Sequence, residues 1–293
     1  MNQLSQSSPM SMNVIETYLL SIYGLLSIIC FLLYNSYINN KNKKYVPDKK
    51  WYCGSIEIIP AHPHLESSLD ALVMAPKFVK WLRRMNPNQV QINSITITDI
   101  NWFSAVPTPS KLGFVKCSLD AIDKTTGKKI ASNIAFVRGD SVAVLIIVKI
   151  ANKTKEYVLL CEQMRLPAGE RKKEICAGMV DAEGNLASVS LKEVKEETGF
   201  VINNVSELTS LGSVFTSPGG LDEEVHLYSW TTTISQKEFK EKQLKLYGNQ
   251  EEQEEIKLSF VEINEVLETT LREIGDVKAE CAMFRHLLLN RIS

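Results

Sequence analysis

The sequence predicts an α+β fold, and three stretches carry that expectation. SVAVLIIVKI at 141–150 is an apolar run of strand length. LASVSLKEVKEET at 186–198 is a helix bracketed by Asn185 as N-cap and Gly199 just past its end. GFVKCSLDAI at 113–122 and KKIASNIAFV at 128–137 flank a DKTTG turn and read as a hairpin. Strands and helices mix in no strict βαβ rhythm, so a doubly wound parallel sheet is not implied.

In chain order, residues 1–16 form a polar tail and 17–34 an apolar run. Residues 35–54 are an Asn/Lys-rich linker. A short strand follows at 55–60. A helix is expected at 65–85, with Phe78, Trp81 and Leu82 at helical spacing. Alternation at 94–100 predicts a strand, then come the hairpin and strands at 141–150 and 156–162. Beyond the helix at 186–198, strands are expected at 208–215, 224–232 and 254–260. A polar helical insertion covers 236–247, and helices at 263–274 and 277–292 close the chain. No internal repeat is visible. The division into domains is therefore a β-rich N-terminal subdomain, 55–137, and a second domain, 138–293.

Composition narrows the function classes. The chain has 293 residues, 44% hydrophobic and 23% charged, with a net charge of −1. That is the balance of a globular protein without the basic excess of a nucleic-acid binder. Six scattered cysteines, with no CxxC pair, argue against a zinc finger or a disulfide scaffold and for a reducing compartment.

The run at 17–34, TYLLSIYGLLSIICFLLY, has no charge and suits a transmembrane helix of about 27 Å against a hydrocarbon core of about 30 Å. Its N-terminal flank carries only Glu16, while 35–50 holds five lysines against Asp48. Positive charge stays inside. The expectation is a single-pass membrane protein with its soluble domain on the cytosolic or matrix side, a mitochondrial membrane being favoured over the endoplasmic reticulum.

The chemistry concentrates at 178–200, GMVDAEGNLASVSLKEVKEETGF. Glu193, Glu196 and Glu197 fall at i, i+3 and i+4, on one helix face. Like charges so placed repel, and a divalent cation relieves them. Hard oxygen donors select Mg²⁺ or Mn²⁺. The alternative for the run alone is a solvated face neutralised by Lys192 and Lys195.

Gly178, the carboxylates and Gly199 have the spacing of the Nudix box, and this stretch resembles it. Gly184 stands where the box has its first Glu, and Lys192 where it has Arg. Lysine keeps the charge but loses the planar fork. RGDSVAVLIIV at 138–148, EQMRLPAGERKKEICAGMVD at 162–181, SPGGLDEEVHLY at 217–228 and EEIKLSFVEINE at 254–265 are similar to the plant-type ADP-sugar diphosphatase branch. The resemblance implies a Nudix α/β/α sandwich with a mixed sheet. It also implies an N-terminal subdomain that helps form a homodimer, and nucleoside-diphosphate sugars such as ADP-ribose or ADP-glucose as substrates.

Residue by residue, it makes Glu193 and Glu197 the main metal ligands, with Glu196 sharing and the Ala177 carbonyl completing the site. Gly178 lets the backbone approach. Glu254, in an acidic run with Glu251, Glu252 and Glu255, is the best-placed general base. Arg165 contacts phosphate or ribose, Glu174 shapes the nucleoside end, and the Ser217 loop lies near the phosphates. Two departures stand out: Cys176 where the family has Pro, and Arg171, Lys172 and Lys173 on a strand expected to be apolar. The apolar run at 17–34, Gly184, Lys192 and the basic strand 171–173 keep open a second reading, a catalytically weak or inactive accessory subunit of an organellar membrane complex.

Overall fold

The computed structural model describes residues 29, 32–33, 47–131, 133–180, 185–249, 254–267 and 274–292. The expected span at 17–34 lies outside the described residues, apart from Ile29, Leu32 and Leu33, which are helical. Among the described residues no helix is long and apolar enough to cross a membrane. Lys49–Ser293 forms one compact unit. It contains two mixed sheets with separate cores.

The first sheet has the order β1 (Trp51–Cys53), β2 (Ile56–Pro60), β3 (Val90–Trp102), β4 (Leu112–Asp123) and β5 (Ile134–Val137). Only β2 and β3 run parallel, and two helices make the crossover between them. The single helix expected at 65–85 is two, α1 (Glu66–Met74) and α2 (Pro76–Arg83). Pro76 has no N–H to donate and holds Ala75 extended (φ −69°, ψ 123°), so the first helix stops and the second starts with Pro in its first turn. Leu69, Leu72 and Phe78 drop from the helices onto Ile58, Ile95 and Val115 of the strands, all fully or nearly fully buried. The end of the expected linker is β1, because Trp51 covers this core and its indole N–H donates to Asp70 (3.0 Å). The second hairpin strand pairs continuously over Ile134–Val137, and before that Lys129 forms an isolated bridge to Ile122.

The second sheet has the path β10 (Thr209–Phe215), β11 (Glu224–Ile234), β6 (Ser141–Ile150), β7 (Glu156–Arg165), β13 (Ile256–Glu262) and β12 (Leu246–Tyr247). β8 (Glu170–Glu174) pairs with β7, and β9 (Cys176–Met179) pairs with β6. β11 lies parallel to β6 over ten residue pairs. The apolar run of β6 is explained by burial on both faces. Ala143, Leu145 and Ile147 meet Ala279, Ala282 and Met283 of α5 (Val277–Ile292). Val144, Ile146 and Val148 meet Val194 of α3 (Leu186–Thr198) and Phe239 of α4 (Gln236–Leu244). Helix, sheet and helix make three layers. The polar insertion is thus anchored: Phe239 packs on Tyr157 and Phe260 at ring separations of 5.1 and 4.6 Å.

The two sheets are joined by charge. Arg84, just after α2, donates to the Asp222 carbonyl (2.9 Å) and pairs with Asp140 and Glu224. Lys80 reaches Asp140 at 2.7 Å. Asp140 is buried. Burial works to raise its pKa, and the Lys80 and Arg84 cations overcome that and hold it below the usual carboxylate range.

Candidate active site

The carboxylate face of α3 is oriented by the helix ends. Asn185 accepts from the Ser188 N–H (3.1 Å) at the start, and Gly199, at φ +66°, closes the last turn onto the Lys195 carbonyl. Val189 and Val194 are buried in the core beneath. Glu193, Glu196 and Glu197 then line a cleft of about 1270 Å³ that runs between the two sheets.

Glu197 lies deepest, at 4% exposure. Its Oε2 accepts from the Ala177 N–H at 3.1 Å, which ties α3 to β9. Burial pushes the Glu197 carboxyl up to about 8, and the charges of Glu193 and Glu254 add to the rise. Hydrogen bonds from the Cys176 thiol and the Ala177 N–H offset it only in part. Gly178 makes the approach possible. A side-chain carbon there would sit 2.1 Å from Glu193 Cδ. Glu196 is half-buried and 3.7 Å from Lys192, while its carbonyl takes the Gly248 N–H (3.1 Å).

Glu254 borders the same cleft, on the turn that leads into β13. Arg165, at the end of β7, grips Glu174 of β8 in a two-pronged contact, Nε to Oε1 at 2.9 Å and Nη2 to Oε2 at 3.1 Å. Lys278 at the start of α5 adds a bond to Glu174 (3.3 Å) and one to Asp276 (2.8 Å). Asp276 in turn accepts from the Ile175 N–H (3.3 Å). Burial would raise the Glu174 carboxyl, but Arg165 and Lys278 hold it below the ordinary range.

Eight of the nine residues singled out in the sequence therefore border one cleft: Arg165, Glu174, Ala177, Gly178, Glu193, Glu196, Glu197 and Glu254. Ser217 does not. Its carbonyl accepts from Gly220 (3.1 Å) and Leu221 (2.9 Å), closing a turn beside β5. Gly184 and the neighbouring acids Glu251 and Glu252 lie outside the described residues. Of the basic strand, Lys172 faces the cleft, paired with Glu170 at 2.8 Å. Sequence reading missed the contribution of the first sheet, Lys77 and Phe103, because nothing in their local pattern separates them from ordinary surface positions.

Residues 140–279 match the family profile described as the NUDIX domain. The chain carries a Nudix domain. Among Nudix relatives, Nudix hydrolase 14, chloroplastic, of Arabidopsis thaliana is 30% identical over 209 residues, covering 66% of this chain and 65% of its own length. An ADP-ribose pyrophosphatase of Haemophilus influenzae is 32% identical over 115 residues, 36% of this chain and 49% of that protein. A GDP-mannose pyrophosphatase of Cronobacter sakazakii is 28% identical over 163 residues, 54% of this chain and 78% of that protein. The chain thus spans less than two thirds of the first of these relatives. The Nudix match covers the second sheet, α3 and the start of α5 but not the first sheet.

The donor set fits a hard divalent ion: three carboxylates and a backbone carbonyl, all oxygen. The charge of Glu193 adds to the raised proton affinity of Glu197, which is the electrostatic condition a cation relieves. A second group, Asp140, Glu224 and His226, brings its ligand atoms within 4.8 Å of one another. Lys80 and Arg84 already neutralise it, so it is the joint between the sheets.

Proposed function

We infer that the chain is a metal-dependent diphosphatase acting on nucleoside-diphosphate sugars. ADP-ribose and ADP-glucose are the first substrates to examine and GDP-mannose the next. The observation that carries this reading is the buried Glu197 beside Glu193, with Arg165 lining the same cleft. The names of the Haemophilus and Cronobacter relatives support the substrate class.

In the mechanism, Glu193 and Glu197 would hold the ion, with Glu196 and the Ala177 carbonyl assisting. Bound there, a divalent ion screens the diphosphate, acidifies water and stabilises the departing phosphate. The chain's own groups do the rest. The Ala177 N–H fixes the Glu197 carboxylate, and Gly178 leaves room for Glu193. Arg165, aligned by Glu174, presents a cation to phosphate oxygens. Glu254 accepts the proton of the attacking water. Water adds across the P–O–P bridge to leave a nucleoside monophosphate and a sugar phosphate.

The full-length chain with Mg²⁺ should release AMP from ADP-ribose or ADP-glucose, and Glu197→Gln should abolish release. No turnover of any sugar nucleotide, with Mg²⁺ or Mn²⁺, rejects the reading. It would favour the accessory-subunit alternative, for which the Lys192–Glu196 contact is the supporting observation.

The segment 17–34 is proposed as a membrane anchor that leaves the catalytic part on the cytosolic or matrix side. Retention of the full-length chain in the membrane fraction after alkaline carbonate washing supports it, and release into the supernatant rejects it.

A further inference from the structure

A helix leaves its last carbonyls without partners inside the helix. In α3 these belong to the turn that carries Glu196 and Glu197. The Lys195 carbonyl takes the Gly199 N–H (3.0 Å), at the helix end itself. Two further donors come from the polar insertion. Gly248, just after β12, gives its N–H to the Glu196 carbonyl (3.1 Å), and Lys242 of α4 gives its ammonium to the Thr198 carbonyl (3.1 Å).

Lys242 is 7% exposed and does not line the cleft. Lysine is almost never buried to this degree without partners. A lysine that only kept α4 soluble would leave its ammonium in water. Burial pulls this amine below the usual lysine range. The carbonyl end of α3 carries partial negative charge and offsets that cost. Two rings do the same, since Nζ stands 3.8 Å from the centre of Phe200 and 5.5 Å from that of Tyr247. Gly199 makes room for the cluster. A Cβ there would lie 2.5 Å from Tyr247 Cε1 and 3.5 Å from the Lys242 ammonium. The clasp has a firm base: Phe239 of α4 sits in the sheet core, and Tyr247 pairs with Ile256 of β13.

We propose that Lys242 is a positioning residue for the ligands of the divalent ion. By holding the Thr198 carbonyl it ties the last turn of α3 to the sheet, so that Glu196 and Glu197 present their oxygens together. It touches neither ion nor substrate and acts through the helix. The inference rests on the metal site of the diphosphatase reading. Partners that orient metal ligands commonly set affinity by about ten- to a hundredfold.

The test is calorimetry of the full-length chain with Mn²⁺ alone, beside turnover of ADP-ribose. Glu197→Gln should remove the binding, which marks the site. Lys242→Met keeps the stem and loses the donor. Its Mn²⁺ affinity should fall by about tenfold or more, and the Mn²⁺ needed for half-maximal turnover should rise in step. KM for ADP-ribose at saturating Mn²⁺ should stay within about twofold. Lys242→Arg keeps a cation and donors and should recover most of the affinity. Lys240→Met, which removes an exposed lysine from the same helix, should change nothing. Should Lys242→Met fail to fold, Lys242→Gln reads the same loss, because its shorter side chain stops short of the Thr198 carbonyl. Parent-like Mn²⁺ affinity in the Met or Gln variant overturns the proposal. So does an equal loss in Lys240→Met, or an arginine variant as weak as the methionine one. If Mn²⁺ binding follows the expected pattern and no sugar nucleotide is turned over, the positioning role stands and the hydrolase reading falls. If the parent hydrolyses ADP-ribose and Lys242→Met binds Mn²⁺ as the parent does, the positioning role alone falls.

Discussion

The side chain of Glu193 occupies the space that any side chain at Gly178 would need. A Cβ on Gly178 would lie 2.1 Å from Glu193 Cδ and 2.3 Å from its Oε1. The carboxylate therefore rests directly on the backbone of β9, one residue from the Ala177 N–H that holds Glu197.

Gly178→Ala should expel Glu193 from the cleft while leaving the sheet paired, because Gly178 meets Val142 of β6 through its backbone. Turnover of ADP-ribose should fall by about a hundredfold or more, the usual scale for misplacing a catalytic group. The midpoint of urea unfolding should move far less. Equal activity in the variant would falsify the placement of Glu193.

Metal removal should expose the buried charge of Glu197. Its pKa is raised in the folded state to about 8 from an ordinary 4.5. The unfolded chain therefore holds fewer protons than the folded one between those values, and stability must fall as pH rises through that window. In the presence of a chelator, unfolding free energy should drop between pH 5 and pH 8.5 by an amount on the order of a few kcal/mol. Glu197→Gln should flatten the profile, and Mg²⁺ should restore stability only in the parent protein.

The joint between the sheets should be costly to break. Arg84→Met leaves Asp140 buried with Lys80 as its remaining strong cation. A broken buried pair costs about 3–5 kcal/mol, and the partial exposure of Arg84 puts the expectation at roughly 3 kcal/mol. Chemical denaturation reads it. A loss below about 0.5 kcal/mol, the scale of a surface pair, would count against a joint of this kind.

Arg165→Lys keeps the charge but cannot make the two-pronged contact with Glu174. KM for ADP-ribose should rise several-fold, with metal-dependent stabilisation unchanged. If the metal response moves instead, Arg165 acts on the carboxylate cluster and not on phosphate.

Much of this was legible in the chain itself. The box residues carry their own geometry, since i, i+3, i+4 spacing with Asn185 and Gly199 at the helix ends leaves little freedom in where the carboxylates point. The apolar run of β6 likewise announced a strand, and the structure adds that both its faces are covered. Long-range partners were hidden. Trp51 looked like linker because its burial depends on α1, which is remote in sequence. The break at Ala75–Pro76 was overlooked because the apolar spacing persists through it. Ser217 closes a turn through its carbonyl while Thr216 and Asp222 on either side of that loop line the cleft, a placement that only the likeness to other chains suggests from sequence. Phe103 and Lys77 belong to the cleft only through tertiary packing, which no local pattern encodes.

The contacts of Asp276 and Lys278 give the last helix more than a covering role. Asp276 is fastened to the backbone at Ile175, and Lys278 clasps the carboxylate that aims Arg165. A partner that loosened the first turn of this helix would free the guanidinium that borders the cleft, so that turn is a latch on the arginine.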